Sequence, residues 1–216
     1  TLISGMTFSN SQVNHFTGRG SYTLTTAGNT ISQPQIEMIG GTLTLQDNLN
    51  TGGNNFYLSN GTFNANNKNI TTLGVSSGGT STRAITMGSG IWTLTNIGTG
   101  LPWNMNDTGL TLDTTGSTIS LTYTGAVAGY FIGGTKTYNN ITIAPGSGVL
   151  TFSGAFTFAN MTMSSAGTKT VKFTKSTTYT MTGSNFLNGT AGNLVTVDSD
   201  DGSTQWTLSK SSGTGI

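Results

Sequence analysis

There is no cysteine in this chain, only one histidine and three prolines, and charged residues fill just 7% of its 216 positions. Without cysteine the fold has neither disulfide staples nor thiolate metal ligands, although the compartment stays open because stacked β structure can hold without cross-links. The lone histidine, His15 in Val13-Asn14-His15-Phe16, allows at most one imidazole-centred site and is read as an exposed or corner side chain. Acids are equally sparse: Glu37, Asp47, Asp107, Asp113, Asp198, Asp200 and Asp201. β-Helical glycosidases and lyases need such groups gathered on one face. Asp107 and Asp113 stand close enough in sequence to approach one another across a strand boundary, but nothing in their spacing marks an active site. No catalytic residue, metal ligand or cofactor is therefore assigned, and no enzymatic activity is expected.

The eight Lys and Arg residues are scattered singly from Arg19 to Lys210, for a net charge of +1, so no basic stripe exists to neutralise a phosphate backbone. Nucleic acid is not an expected partner. No apolar run approaches the roughly 20 residues needed to span a bilayer, and the most apolar stretch, Ala126 to Ile132, is broken by Gly129. Membrane insertion is not expected either. An ordinary soluble domain carries roughly 25% charged residues. Here uncharged polar residues must cover the surface instead, and Thr, Ser, Asn and Gly (32 glycines) supply that cover. Thr is β-branched and tolerates water, which suits it to the wet side of a strand.

The hydrophobic third of the chain is patterned. Apolar residues alternate with Thr, Ser or Asn in Tyr22-Thr23-Leu24-Thr25, Thr42-Leu43-Thr44-Leu45, Ile91-Trp92-Thr93-Leu94, Leu110-Thr111-Leu112, Ile119-Ser120-Leu121-Thr122-Tyr123 and Ile141-Thr142-Ile143. The second half continues with Leu150-Thr151-Phe152, Phe156-Thr157-Phe158, Met161-Thr162-Met163, Tyr179-Thr180-Met181, Leu194-Val195-Thr196-Val197 and Trp206-Thr207-Leu208. This is strand periodicity, in which one set of side chains meets a dry core and the Thr set meets water. The separators are too short for crossover helices, which excludes a βαβ fold. The expected fold is all-β, a parallel β-helix (β-solenoid) of short strands with Gly and Asn corners, with a β-sandwich as runner-up. Residues 1–216 read as one elongated unit, a fragment of a longer chain, with a repeat too degenerate for a fixed period. Exposed strand edges at its ends, including Thr1-Leu2-Ile3, call for further polypeptide or another subunit.

Corners are expected at Gly40-Gly41, Gly52-Gly53, Asn60-Gly61, Gly78-Gly79, Gly133-Gly134 and Asn188-Gly189, where positive φ costs glycine nothing. None carries the Lys-Ser/Thr and helix of a P-loop. Asp198-Ser199-Asp200-Asp201-Gly202 resembles the start of a calcium loop but lacks the distal acid and flanking helices, so it is read as a solvent-exposed turn. Trp103, in Leu101-Pro102-Trp103-Asn104, is placed on a loop, as a core or cap residue in preference to a sugar-stacking ring. The Asn-x-Thr triplets at Asn60, Asn69, Asn106, Asn140, Asn160 and Asn188 follow from composition. Thr-x-Thr steps invite comparison with flat threonine arrays that bind ice, but their irregular spacing speaks against strict register.

The segments Gly41–Leu45, Asn60–Asn64, Arg83–Leu94, Tyr138–Ile143 and Gln205–Lys210 carry a resemblance. They resemble the Thr/Asn/Gly-rich β-solenoid repeat regions of phage virion appendage proteins and large secreted bacterial surface proteins. The resemblance is one of repeat style over nearly the whole chain and specifies architecture more than function. It implies a non-enzymatic structural or display role in a virion appendage (tail fibre, spike shaft or capsid-attached fibre), with a secreted adhesin or surface-layer module as alternative and a β-helix carbohydrate-active enzyme third. It further implies a virion or cell-surface location. The partners it implies are other virion or surface subunits, a homo-oligomer such as a trimer, and a cell-surface glycan.

Overall fold

The computed structural model describes residues 2, 11–95, 100–105, 108–122 and 128–211. Thr1, Ile3, Asn106, Asp107, Tyr123 and Ala126 lie outside the described residues. Strands stack in parallel as a β-solenoid of about 8 turns, and no helix occurs among the described residues. The solenoid expectation holds and the sandwich alternative is set aside, because successive ladders are parallel and need a full coil between partners.

Three ladders run up the stack. The long one joins β1 (Asn14–Gly18), the first halves of β3 (Pro34–Leu45) and β5 (Phe56–Asn64), then β7 (Val75–Ser76), β10 (Gly100–Asn104), β13 (Gly129–Ile132), β15 (Val149–Ser153), β17 (Lys169–Phe173) and β19 (Val195–Ser199). A second uses β2 (Ser21–Leu24), the later halves of β3 and β5, β8 (Arg83–Thr86) and β11 (Leu110–Asp113). The third is a separate sheet of β4 (Leu49–Asn50), β6 (Ile70–Thr72), β9 (Ile91–Leu94), β12 (Thr118–Leu121), β14 (Thr137–Ile143), β16 (Thr157–Met163), β18 (Thr178–Met181) and β20 (Thr207–Lys210). A coil takes 20 residues from Asn14 to Pro34, 22 from Gly61 to Arg83, 27 from Arg83 to Leu110 and 29 from Thr178 to Thr207. The degenerate repeat is thus a variable corner length around a conserved stacking register.

Two expected corners lie inside strands. Gly40-Gly41 bends β3 and Gly61 bends β5 without ending either strand, so the coil turns while its backbone ladder continues. Gly61 has φ +77°, and a Cβ there would overlap the Met38 carbonyl of the coil below. Gly189 does not take the left-handed conformation, whereas Ala27, Asn66, Asn67 and Ser176 do, so turn chemistry is shared more widely than the glycine pairs suggest.

The interior is filled by side chains stacked coil over coil. In the long ladder Val75, Trp103, Phe131, Phe152 and Phe173 fall in one register column. Trp103 stacks on Phe131 at 5.7 Å and Phe152 on Phe173 at 5.3 Å, while Trp206 closes the column 4.2 Å from Phe173. Burying each such ring contributes about 2–3 kcal/mol. Trp103 sits within β10 and is fully buried, not on a loop; Pro102 is accommodated beside it because the pairing shifts between Gly100 and Trp103. Leu194, expected inside a strand, precedes β19 and is 70% exposed. Val197 faces along the core column yet stays exposed, since β19 is paired only to β17.

Polar atoms in this core are matched to corners. The buried Tyr138 hydroxyl donates to the Gly133 carbonyl at 2.8 Å and accepts from Trp103 Nε1 at 3.0 Å. Tyr179 repeats the device, donating to Phe152 O at 2.9 Å and accepting from Thr174 N at 3.1 Å. The Trp92 indole N–H has no such partner among the described residues, at a cost of about 1–3 kcal/mol, and its ring meets Phe56, Phe63 and Trp103 edge-on at 6.1 Å.

Two expectations follow. Gly61→Ala should lower unfolding free energy by at least about 3 kcal/mol in urea titrations, through left-handed strain plus backbone overlap. Gly53→Ala, with φ +77° but open space around it, should cost only about 1 kcal/mol; equal losses would show that inter-coil contact does not set the corner. The second concerns pH. Burial pushes the Tyr138 and Tyr179 phenols above their ordinary value, partly offset by the bonds from Trp103 and Thr174. A raised folded value means that their contribution is complete below about pH 10 and is lost as pH climbs beyond it. Lys169, pushed down by burial, acts oppositely between its lowered value and about pH 10.4, the unfolded one. The melting temperature should hold between about pH 5 and 9 and fall above about pH 10.5, less steeply in Tyr138→Phe. A flat profile to about pH 11 would contradict this coupling.

Candidate functional site

The residues singled out in sequence do not converge. His15 is exposed on β1 and meets Glu37 of the next coil at 3.1 Å between Nδ1 and Oε2. Asp113 is exposed at the end of β11 and accepts from the Thr115 amide at 3.0 Å, a bond that holds its carboxyl below the ordinary value. Asp107, its sequence partner, is outside the described residues. Asp47 grips the corner of the coil below, accepting from Thr26 N at 2.7 Å and Ala27 N at 2.6 Å. The Asn-x-Thr asparagines are largely structural: Asn160 Nδ2 donates to Asn140 Oδ1 at 2.9 Å, and Asn69 Oδ1 accepts from Ile91 N at 2.9 Å. Asn60 is half-buried in β5 and Asn188 is exposed.

The Asp198–Gly202 segment is a turn, as its sequence suggests. Asp201 Oδ1 accepts from Thr204 N at 2.8 Å, Ser203 N at 3.0 Å and Ser199 Oγ at 3.0 Å, and Oδ2 accepts from Thr204 Oγ1 at 2.8 Å. The Thr204 and Ser203 amides hold this carboxyl far below the carboxylate range. Its remaining contact is Lys175 Nζ at 3.2 Å, and Asp200 Oδ1 accepts from Lys175 N at 3.0 Å. The three aspartates therefore point to different partners and do not form a cation cage.

What sequence reading missed is the neighbourhood of that turn. The long excursion between β18 and β20 brings Asp200 and Asp201 to the outer surface of the long ladder, beside Lys172 and Lys175. There Tyr130, Thr151 and Lys172 lie in successive coils in one outward column. Together with Ala128 and Val149 these groups line a cleft of about 500 Å³. The Lys172 ammonium lies 3.5 Å from the Asp200 carbonyl, so the turn also anchors this wall. Tyr130 forms the floor and is 43% exposed. Only the alternation of Gly129-Tyr130-Phe131 carried a signal: two adjacent aromatics on one strand cannot both face the core.

A second unusual group is Arg83, wholly buried with carbonyls and a hydroxyl around it. Its Nε donates to Ser77 Oγ at 2.9 Å, Nη1 to Gly79 O and Ser81 O at 2.7 Å each, and Nη2 to Thr108 O at 3.2 Å. The guanidinium fork ties the irregular segment before β8 to the next coil, a structural function.

The threonine spacing also needs correction. Although irregular in sequence, it gives register in space over part of the separate sheet: Asn50, Thr71, Thr93, Ser120, Thr142 and Thr162 are consecutive outer partners, and the column ends there because β18 pairs only with Thr157 and Phe158 of β16. Variable corners absorb the extra residues. Comparison with protein-family models, with curated proteins and with solved structures found no match.

Proposed function

We propose that this chain is a non-enzymatic structural and display module of an extracellular appendage, first of a phage virion (tail fibre, spike shaft or capsid-attached fibre) and second of a bacterial adhesin or surface layer. The observation that supports this best is the continuous side-chain-filled stack, which sets a rigid rod of coils beneath an almost uncharged outer surface. Such a body spaces and presents surfaces. Its carboxylates at Asp47, Asp113 and Asp201 accept backbone amides at turns, which is a structural use of the few acids present. Mass spectrometry of purified particles should find the chain, and antibody labelling should place it on an appendage. Detection only in the host envelope fraction would transfer the assignment to the adhesin reading; detection in neither would overturn both.

A second reading has its own support, the register of the outer hydroxyl column. Side-chain hydroxyls repeated about every 4.8 Å from Thr71 to Thr162, four of the five on threonine, can order water in a matching lattice. If this face binds ice, the purified chain should show thermal hysteresis and facet growing crystals, and Thr142→Lys should abolish both. Growth unaltered by the unmodified chain removes this reading.

A further inference from the structure

We propose that the cleft over Tyr130 is a subsite for an uncharged pyranose glycan, with the Tyr130 ring as stacking floor and Lys172 and Asp200 as its hydrogen-bonding wall. The proposal rests on the surface-display reading and names what the surface displays. In the long ladder Phe56, Trp103, Phe131, Phe152 and Phe173 are all fully buried, whereas Tyr22 and Tyr130 lie on the outside, 51% and 43% exposed. Tyr130 turns outward at mid-strand, between a buried glycine and a buried phenylalanine, with Thr151 of the next coil as its register partner. The open part of the ring beside polar walls matches a sugar, whose C–H face is apolar and whose rim both donates and accepts.

The walls have that mixed character. Lys172 supplies donors, and Asp200 supplies acceptors. Lys175 and Asp201 are tied to each other and to the turn, so they brace the wall. With two ammonium and two carboxylate groups the cleft is balanced in charge, which disfavours a polyanion and leaves an uncharged sugar as the fitting class. Four of the chain's 15 charged side chains gather here.

The test is biolayer interferometry of the purified chain against immobilised dextran, mannan, galactan and chitin oligomers, with heparin as the polyanionic control. Saturable binding to at least one neutral polymer is expected, with heparin weaker. Tyr130→Ala should weaken it roughly tenfold, as for a central aromatic contact, while Tyr130→Phe should retain affinity within about twofold and Lys172→Met should fall between. A measurement on the unmodified chain guards against misfolded variants: the bound glycan should protect Tyr130 but not Tyr22 from nitration. Absence of binding to all four neutral polymers, tighter binding to heparin, an unaffected Tyr130→Ala variant or unprotected Tyr130 would each overturn the proposal. Presence on particles without neutral-glycan binding would overturn this site alone. Binding without presence on particles or the cell envelope would overturn only the appendage reading.

Discussion

The rest of the structure depends on one constraint, the parallel backbone ladder that binds each coil to the next. Every interior strand must find partners for its N–H and C=O groups above and below, because a buried backbone polar group left unpaired costs as much as a lost hydrogen bond. Partners in a parallel ladder keep a fixed offset, so each side chain sits over its counterpart. Extra residues can then go only into corners. Hence 22 residues separate Gly61 from Arg83 and 27 separate Arg83 from Leu110, while Phe63, Ile85 and Leu112 remain stacked.

Residue-over-residue stacking decides how the interior is filled. A column of aromatic rings packs because each ring meets its neighbour offset or edge-on, near the spacing set by the strands. Tyr138 and Tyr179 then do two things at once. Their rings extend the apolar columns, and their hydroxyls bond the Gly133 and Phe152 carbonyls. The same arrangement makes the core sensitive to alkali, since burial pushes both phenols above their ordinary value.

Strands and strand class were legible because alternation is local. Leu43 and Leu45, Trp92 and Leu94, and Ile141 and Ile143 all face inward as their period requires. Trp103 was misplaced because Pro102 reads as a loop signal, and only the neighbouring coils reveal the shifted pairing that admits it. Leu194 misled for a different reason: alternation predicts a buried set only where another element covers it. The cleft was invisible because Tyr130, Lys172 and Asp200 come from different coils, and their meeting depends on a register that no single segment contains. Asp201 was legible as part of a turn, but not as the brace that Lys175 makes of it.

The same geometry explains the scarcity of charge. In a parallel stack, like residues at one position lie about 4.8 Å apart, so a repeated lysine or glutamate would build a column of like charges whose repulsion grows with every coil. Threonine and asparagine escape this, and asparagine gains from it: Asn160 donates to Asn140, while Asn69 takes the Ile91 amide of the next coil. Charge is tolerated where the column is interrupted or where opposite signs follow one another. Lys172 satisfies the second condition, with Thr151 below it and Asp198 paired above. Lys175, Asp200 and Asp201 satisfy the first, because they lie on corners outside the ladder. Corners can thereby add charge beside a ladder without building a column of one sign, and the cleft over Tyr130, with Lys172 on β17 and Lys175, Asp200 and Asp201 on corners, is such a place.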